Sequence, residues 1–251
     1  MTDYTIANEY TLPSEGKVYS KPFDPHVRLR SMTTVEEMKR LNYSQYPYRA
    51  MSEIIDDCLI EKLPISAYDL NIVDYQYLLH KLRIVTYGPN YKLSSSCPFC
   101  GSNNTNVINL DEMNLINFDE KAFKECSEFE LPVSKKHIKI RMQTPRILDD
   151  IAVKSKDPKH NSGRSNQDTT FILTLESLID TIDGERPEQF KIVPFLQKLP
   201  MMDTNYILKS AQKLNSSFGI SSEVNHVCSV CGLTYTGKFR TTSEFFGPSI
   251  D

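Results

Sequence analysis

No run of about 18 apolar residues occurs in the 251-residue chain, so no transmembrane helix is expected. An excess of either charge is missing too. Lys and Arg total 29 against 32 Asp and Glu, a formal charge of -3. A nucleic-acid partner calls for clustered basic residues, so none is expected. Met1-Thr2-Asp3-Tyr4-Thr5 lacks the basic and apolar regions of a signal peptide, and a soluble chain made inside the cell is expected, with no membrane partner. There is no Gly-rich phosphate loop, no GxSxG and no HExxH. The five histidines, His26, His80, His137, His160 and His226, have ordinary readings as surface or strand residues. Asp56-Asp57 and Asp149-Asp150 are adjacent acids. Neighbours on a helix point in different directions, so each pair reads as a solvated face rather than a two-carboxylate site. The expectation is a protein that is not an enzyme.

What is present is enough for a core: 39% hydrophobic residues, with 12 Phe and 13 Tyr. Leu12-Pro13-Ser14-Glu15-Gly16 is a turn, because Pro13 presets φ and Gly16 tolerates a positive one. Val18-Tyr19 reads as a short strand, and Val27 and Leu29 alternate with Arg28 and Arg30 as a half-buried one. Thr33 with Glu36 three residues on predicts a capping box and a helix start. Met51, Ile54, Ile55, Cys58 and Leu59 follow the spacing of one buried helix face, with Pro64 beyond its end. A third helix is predicted from Asn71 to Arg83, with Tyr75, Leu78, Leu79 and Leu82 on one side and Gly88 after it.

Further on, a strand is predicted near Val107 to Leu110, and a β-hairpin over Phe129 to Val133 and His137 to Met142. Thr144-Pro145 opens a helix. Residues 155–168 are polar, with Gly and Pro, and read as a mobile loop. Helices are expected near 169–183 and 203–214, then an alternating strand through Tyr235 and Phe239.

The chemistry lies in the cysteines. Cys97-x-x-Cys100-Gly101 and Cys228-x-x-Cys231-Gly232 form a matched pair. Each CxxC turn brings two sulfurs toward one ion, and the following Gly relieves crowding where the chain reverses. Four thiolates suit tetrahedral zinc at about 2.3 Å Zn–S. The 127 residues between Cys100 and Cys228 exceed the usual ribbon spacing, so the chain between them must be an insertion whose ends meet at the metal. Catalytic zinc keeps an open position and usually includes His or carboxylate. Neither CxxC sits in a thioredoxin-like βαβ unit. Structural Zn2+ is the reading these residues favour. Cys58 lies on an apolar helix face and reads as a buried hydrophobe, Cys126 has no evident partner, and His226, two residues before Cys228, reads as a strand position with a substitute metal ligand as the alternative.

In order, Leu12-Pro13-Ser14-x-Gly16-x-x-Tyr19, Arg30-Ser31-Met32-Thr33-x-x-Glu36-Glu37, Leu82-Arg83-Ile84-x-Thr86-Tyr87-Gly88, the two CxxCG pairs and Phe245-Phe246-x-Pro248-Ser249 resemble the T4-type phage baseplate protein family. That family includes baseplate hub subunits and hub assembly proteins of contractile-tailed phages. The resemblance implies a non-enzymatic part in tail building. The chain would either be incorporated in the baseplate hub or act on hub assembly without staying. Its implied partners are other hub and tail proteins in a multi-copy assembly. Its implied place is the host cytoplasm during assembly and the virion tail baseplate if incorporated. A nucleic-acid-binding zinc-ribbon module is the competing reading, and the cations near the pairs are sparse (Lys92, Lys238 and Arg240).

The expected fold is α+β. It comprises an N-terminal extended arm over 1–32, a helical unit over 33–92, and a zinc ribbon split between 93–110 and 221–242. A mixed insertion with a β-hairpin and helices occupies 111–220, and a tail follows over 243–251. Aromatic residues suit protein contacts. Leu12, Pro13, Gly16, Tyr19, Arg30, Met32, Glu36, Tyr87, Phe245 and Phe246 are expected at contacts with neighbouring subunits.

Overall fold

The computed structural model describes residues 5–42, 44–156, 169–239 and 243–246. The chain is mixed α/β, with eight α-helices and several small sheets among the described residues. Strand β1 (Ala7–Thr11) pairs antiparallel with β2 (His26–Arg30). Three helices follow: α1 (Thr34–Leu41), α2 (Pro47–Cys58) and α3 (Ile72–Tyr87). The capping box forms as the sequence predicts, with Thr33 and Glu36 each satisfying an amide of the other's segment. Helix α3 is capped by Asn71, runs past the predicted Arg83 and stops at Gly88, whose φ is 83°.

Ile54, Ile55 and Cys58 of α2, with Leu59 at its end, are buried as their spacing requires, and Met51 is half-buried. They join Leu70, Leu78, Leu82, Leu12 and Leu29 in a first core, which Phe218, Phe239, Phe245 and Phe246 complete from far along the chain. A second core comes wholly from the segment between Leu131 and Leu214, including Ile138, Leu175, Ile192 and Ile207.

After α3 come a hairpin, β3 (Asn90–Ser96) with β4 (Asn103–Asn109), then the two-residue β5 (Leu115–Ile116) and α4 (Glu120–Ser127). The predicted hairpin is present but shorter, as β6 (Glu128–Glu130) with β7 (His137–Ile140). Then follow α5 (Pro145–Lys154), α6 (Thr169–Leu178), β8 (Ile179–Ile182), α7 (Gln189–Leu196) and α8 (Met201–Ser216). Strand β9 (Gly219–Ile220) returns to pair with β5, and a last hairpin joins β10 (Glu223–Val227) to β11 (Thr234–Lys238).

Several expectations are corrected. Val18-Tyr19 is not a strand but part of a turn, because the Tyr19 hydroxyl reaches inward to Asp74 at 2.6 Å and Asn71 at 2.8 Å. The helix expected over 169–183 ends at Leu178, and Ile179–Ile182 pairs with β7 as the third strand of that sheet. Its β-branched residues favour the pleated surface. Helices α4 and α7 were not anticipated. They are eight residues long, too short for a clear period, although Asp119 accepting from Lys121 and Ala122 is a readable start signal for α4. His80 is buried on α3 rather than on the surface or a strand. Of the segment 155–168 only Ser155 and Lys156 are among the described residues.

Only one member of each acid pair is a solvated face: Asp57 and Asp150 are exposed, whereas Asp56 is half-buried and Asp149 is buried. Asp149 is buried and accepts the backbone amides of Tyr48 at 3.3 Å and Arg49 at 2.8 Å, with the Tyr68 hydroxyl at 3.1 Å. It supplies the cap that Tyr46, at the start of α2, does not. Asp56 accepts from Ser66 and from the amide of Ala67, and Asp57 pairs with Lys39.

Candidate metal centre

Each CxxCG segment is the turn of a hairpin. Cys97–Ser102 links β3 to β4 and Cys228–Leu233 links β10 to β11. The two turns repeat one hydrogen-bond pattern. The amide of Cys97 donates to the Ser102 carbonyl at 2.8 Å and that of Gly101 to the Cys97 carbonyl at 2.9 Å. Cys228 donates to Leu233 at 3.0 Å and Gly232 to Cys228 at 2.9 Å. Gly101 and Gly232 have φ of 73° and 72°, where a side chain would be strained.

The four Sγ atoms of Cys97, Cys100, Cys228 and Cys231 lie within 4.8 Å of one another. Cys97 is 3.8 Å from Cys231, and Cys100 is 3.6 Å from Cys228. A tetrahedral thiolate site with bonds of about 2.3 Å has edges of about 3.8 Å, so the donor set fits one ion gripped by both hairpins. All six cysteines are free thiols.

Hydrogen bonds favour thiolate at Cys228 and Cys100, whereas Cys231, against the hydrogen bond from Leu233, is pushed up by burial and the sulfurs around it. The amides of Val230 and Cys231 donate to the Cys228 sulfur at 3.4 Å each, and the Ser102 hydroxyl lies 3.2 Å from it. The Cys231 amide and then the Ser102 hydroxyl bring the Cys228 thiol down to about 5. The same hydroxyl, 3.1 Å from Cys100, lowers that thiol as well.

Three polar contacts clasp the hairpins beside the sulfurs. Asn104 accepts from the Ser229 amide and hydroxyl, both at 2.8 Å. Asn106 meets Nδ1 of His226 at 3.2 Å, and the hydroxyls of Ser95 and Tyr235 meet at 2.7 Å. His226 is buried against the Tyr235 ring and lies outside the donor cluster. Sequence reasoning missed Ser102, Asn104 and Asn106; only their place two to six residues beyond the first CxxC hinted at them.

The residues expected at subunit contacts are placed mostly inside the chain. Leu12, Pro13, Gly16, Met32, Glu36, Phe245 and Phe246 are buried, and Tyr19, Arg30 and Tyr87 are half-buried. Ser14 donates its amide and hydroxyl to Asp74 at 3.0 and 2.5 Å, beside Tyr19. A Cβ on Gly16, where φ is 68°, would stand 2.1 Å from the Phe23 carbonyl oxygen. Arg30 pairs with Glu36 at 2.8 Å, the Met32 amide donates to Thr86, and Tyr87 donates to Glu37. The ordered motifs thus hold the arm, α1 and the Phe245 segment onto α3.

Fold and site together define a mixed α/β protein whose two distant hairpins carry a cysteine cluster able to hold a metal ion. The model of a family described as T4 bacteriophage base plate protein matches residues 4–247, nearly the whole chain, and the chain belongs to that family. No curated protein and no solved structure gives a significant match. The family places the chain among structural parts of a phage tail. No helix among the described residues is long and apolar enough to cross a membrane.

Proposed function

We propose that the chain is a non-catalytic structural component of a contractile-tail baseplate, placed at the hub, held rigid by one structural Zn2+ and working through contacts with other tail proteins. Family membership over residues 4–247 carries the tail role. The convergence of Cys97, Cys100, Cys228 and Cys231 supports the metal. Four sulfurs complete a tetrahedral shell and leave no position for a reactive water, which suits a structural ion. Zinc is the ion that an all-thiolate tetrahedral donor set suits best.

In this reading the hairpins β3–β4 and β10–β11 are two halves of a zinc ribbon, and the segment 111–220 is an insertion between them. The ion closes that insertion and fixes the end of α3 against the C-terminal segment. The buried motif residues act as framework, so that contact surfaces elsewhere on the chain keep their shape.

Mass spectrometry of purified tails tests the role. The expected result is this chain at a fixed ratio to the tail-tube subunits. A chain needed for tail assembly yet missing from finished tails would instead make it a hub assembly factor. Salt-sensitive binding in a gel shift would favour a nucleic-acid module. Metal analysis tests the ion: less than half an equivalent of zinc on protein purified under reducing conditions would overturn it.

A further inference from the structure

The segment after α8 runs beside a cleft of about 500 Å³, within the roughly 300–1,000 Å³ of ligand sites. Helix α3, the end of α8, the chain from Phe218 to Ser222 and the end of β11 line it. Its chemistry is one-sided. Three side-chain amides line it, Gln76 on α3 with Gln212 and Asn215 on α8, and none of them has a hydrogen-bond partner among the described residues. Lys238 contributes a positive charge, and no acidic residue lines the cleft among the described residues. Glu223 stands opposite Lys238 in the β10–β11 ladder, yet Lys238 makes no ion pair among the described residues. His80 is a second, independent sign. Its ring borders the cleft, is 3% exposed, stacks on Phe245 and meets Phe239 edge-on. Nε2 lies 3.2 Å from the Met113 sulfur, and Nδ1 has no partner among the described residues. Burial, with Lys81 nearby, pushes this group down to about 4, so the ring is neutral. Buried polar atoms are nearly always paired, so an orphan beside a cleft points to something that binds there.

We infer that this cleft binds an extended peptide segment of another tail protein, one that carries a carboxylate side chain for Lys238 and a polar group for Nδ1 of His80. A side-chain amide holds a donor and an acceptor side by side, so it pairs with the C=O and N–H groups of a main chain. Gln76, Gln212 and Asn215 offer three such amides from two helices. The unpaired ammonium, with no acid in the lining, calls for a negative charge on the segment. A single lysine is too little for a nucleic acid, whose phosphates need several cations. Phe218 and Ile220 give the segment apolar surface to lie against. The inference names a partner chemistry for the proposed role in the tail and rests on that role.

The test places a photo-crosslinking residue at exposed position 212 of the full chain in assembling tails, and maps the crosslinked peptide by mass spectrometry. The expected crosslink joins one segment of another tail protein, with Asp or Glu within a few residues. Lys238→Glu and Lys238→Arg give the second readout. Lys238 is exposed, so both variants should keep the wild-type thermal midpoint and metal content. Lys238→Glu should lower the yield of infective tails by about tenfold or more, while Lys238→Arg stays within about twofold of wild type. If Lys238→Glu does not fold, the crosslink alone decides. A crosslink that reaches only this chain or a second copy of it overturns the inference, and so does one to a segment without an acid. A folded Lys238→Glu that assembles as well as wild type, or an equal loss in both variants, overturns it too. Each of these leaves the proposed function standing. A wild-type chain that neither enters tails nor is needed for them overturns the proposed function, and this inference with it.

Discussion

Arg83 Nε donates to the main-chain oxygen of Phe245 at 2.8 Å, joining residues 162 positions apart. The same buried guanidinium reaches the Gly88 carbonyl at 3.0 Å and lies over the Tyr87 ring. It therefore fastens the Phe245 segment to the end of α3, where the first hairpin begins. Arg83→Met should cost about 3 kcal/mol, because it leaves buried carbonyls without donors. Urea unfolding gives the loss. Limited proteolysis should cut near Phe245 sooner than in wild type.

Removing one sulfur should open the centre. Cys97→Ser or Cys231→Ser leaves three thiolates, so bound metal should fall well below one equivalent and the thermal midpoint should drop by several degrees or more. A chelator should lower the wild-type midpoint in the same way and leave the variants little changed. Cys126, half-buried and outside the cluster, is the control: Cys126→Ser should stay within about 0.5 kcal/mol of wild type.

Asp149 caps α2 from another helix. Asp149→Ala should destabilise by about 2 kcal/mol, since it strips the partner from two amides and the Tyr68 hydroxyl. Exposed Asp150 should tolerate the same change within about 0.5 kcal/mol. Chemical denaturation of the two variants side by side makes the comparison.

Acid should unfasten α1. The Arg30 guanidinium, outweighing burial and aided by Thr33, holds the Glu36 carboxyl down to about 2 from its ordinary 4.5. The unfolded chain thus binds this proton more readily than the folded one. The stabilisation is complete above about pH 4.5 and is lost as pH falls toward 2. Glu36→Gln should be less stable than wild type at neutral pH, and the gap between their thermal midpoints should close across that window.

What the sequence made legible was local or paired by an obvious signature. The Thr33–Glu36 box, the Asn71 and Gly88 ends of α3 and the matched CxxCG turns each depend on residues a few positions apart. The role of Asp149 was hidden because its acceptor atoms meet amides 100 positions away. Asp74, which gathers Ser14, Tyr19 and Asn71 in the core, was hidden for the same reason. Ile179–Ile182 was misassigned because a short apolar run carries no decisive period, and pairing with β7 settled it. The ten motif residues were expected at contacts with other subunits, with core filling the competing reading for their rings. Composition does not separate a ring that fills a core from one that meets a partner, and Phe245 fills the core.

The separation of the two cysteine pairs sets an order of events during translation. Cys97 and Cys100 leave the ribosome first as half a chelate, with nothing to complete it. The complementary thiols at 228 and 231 emerge only after the 127 residues that follow Cys100. A fragment ending short of Cys228 therefore carries only two of the four donors that could hold an ion.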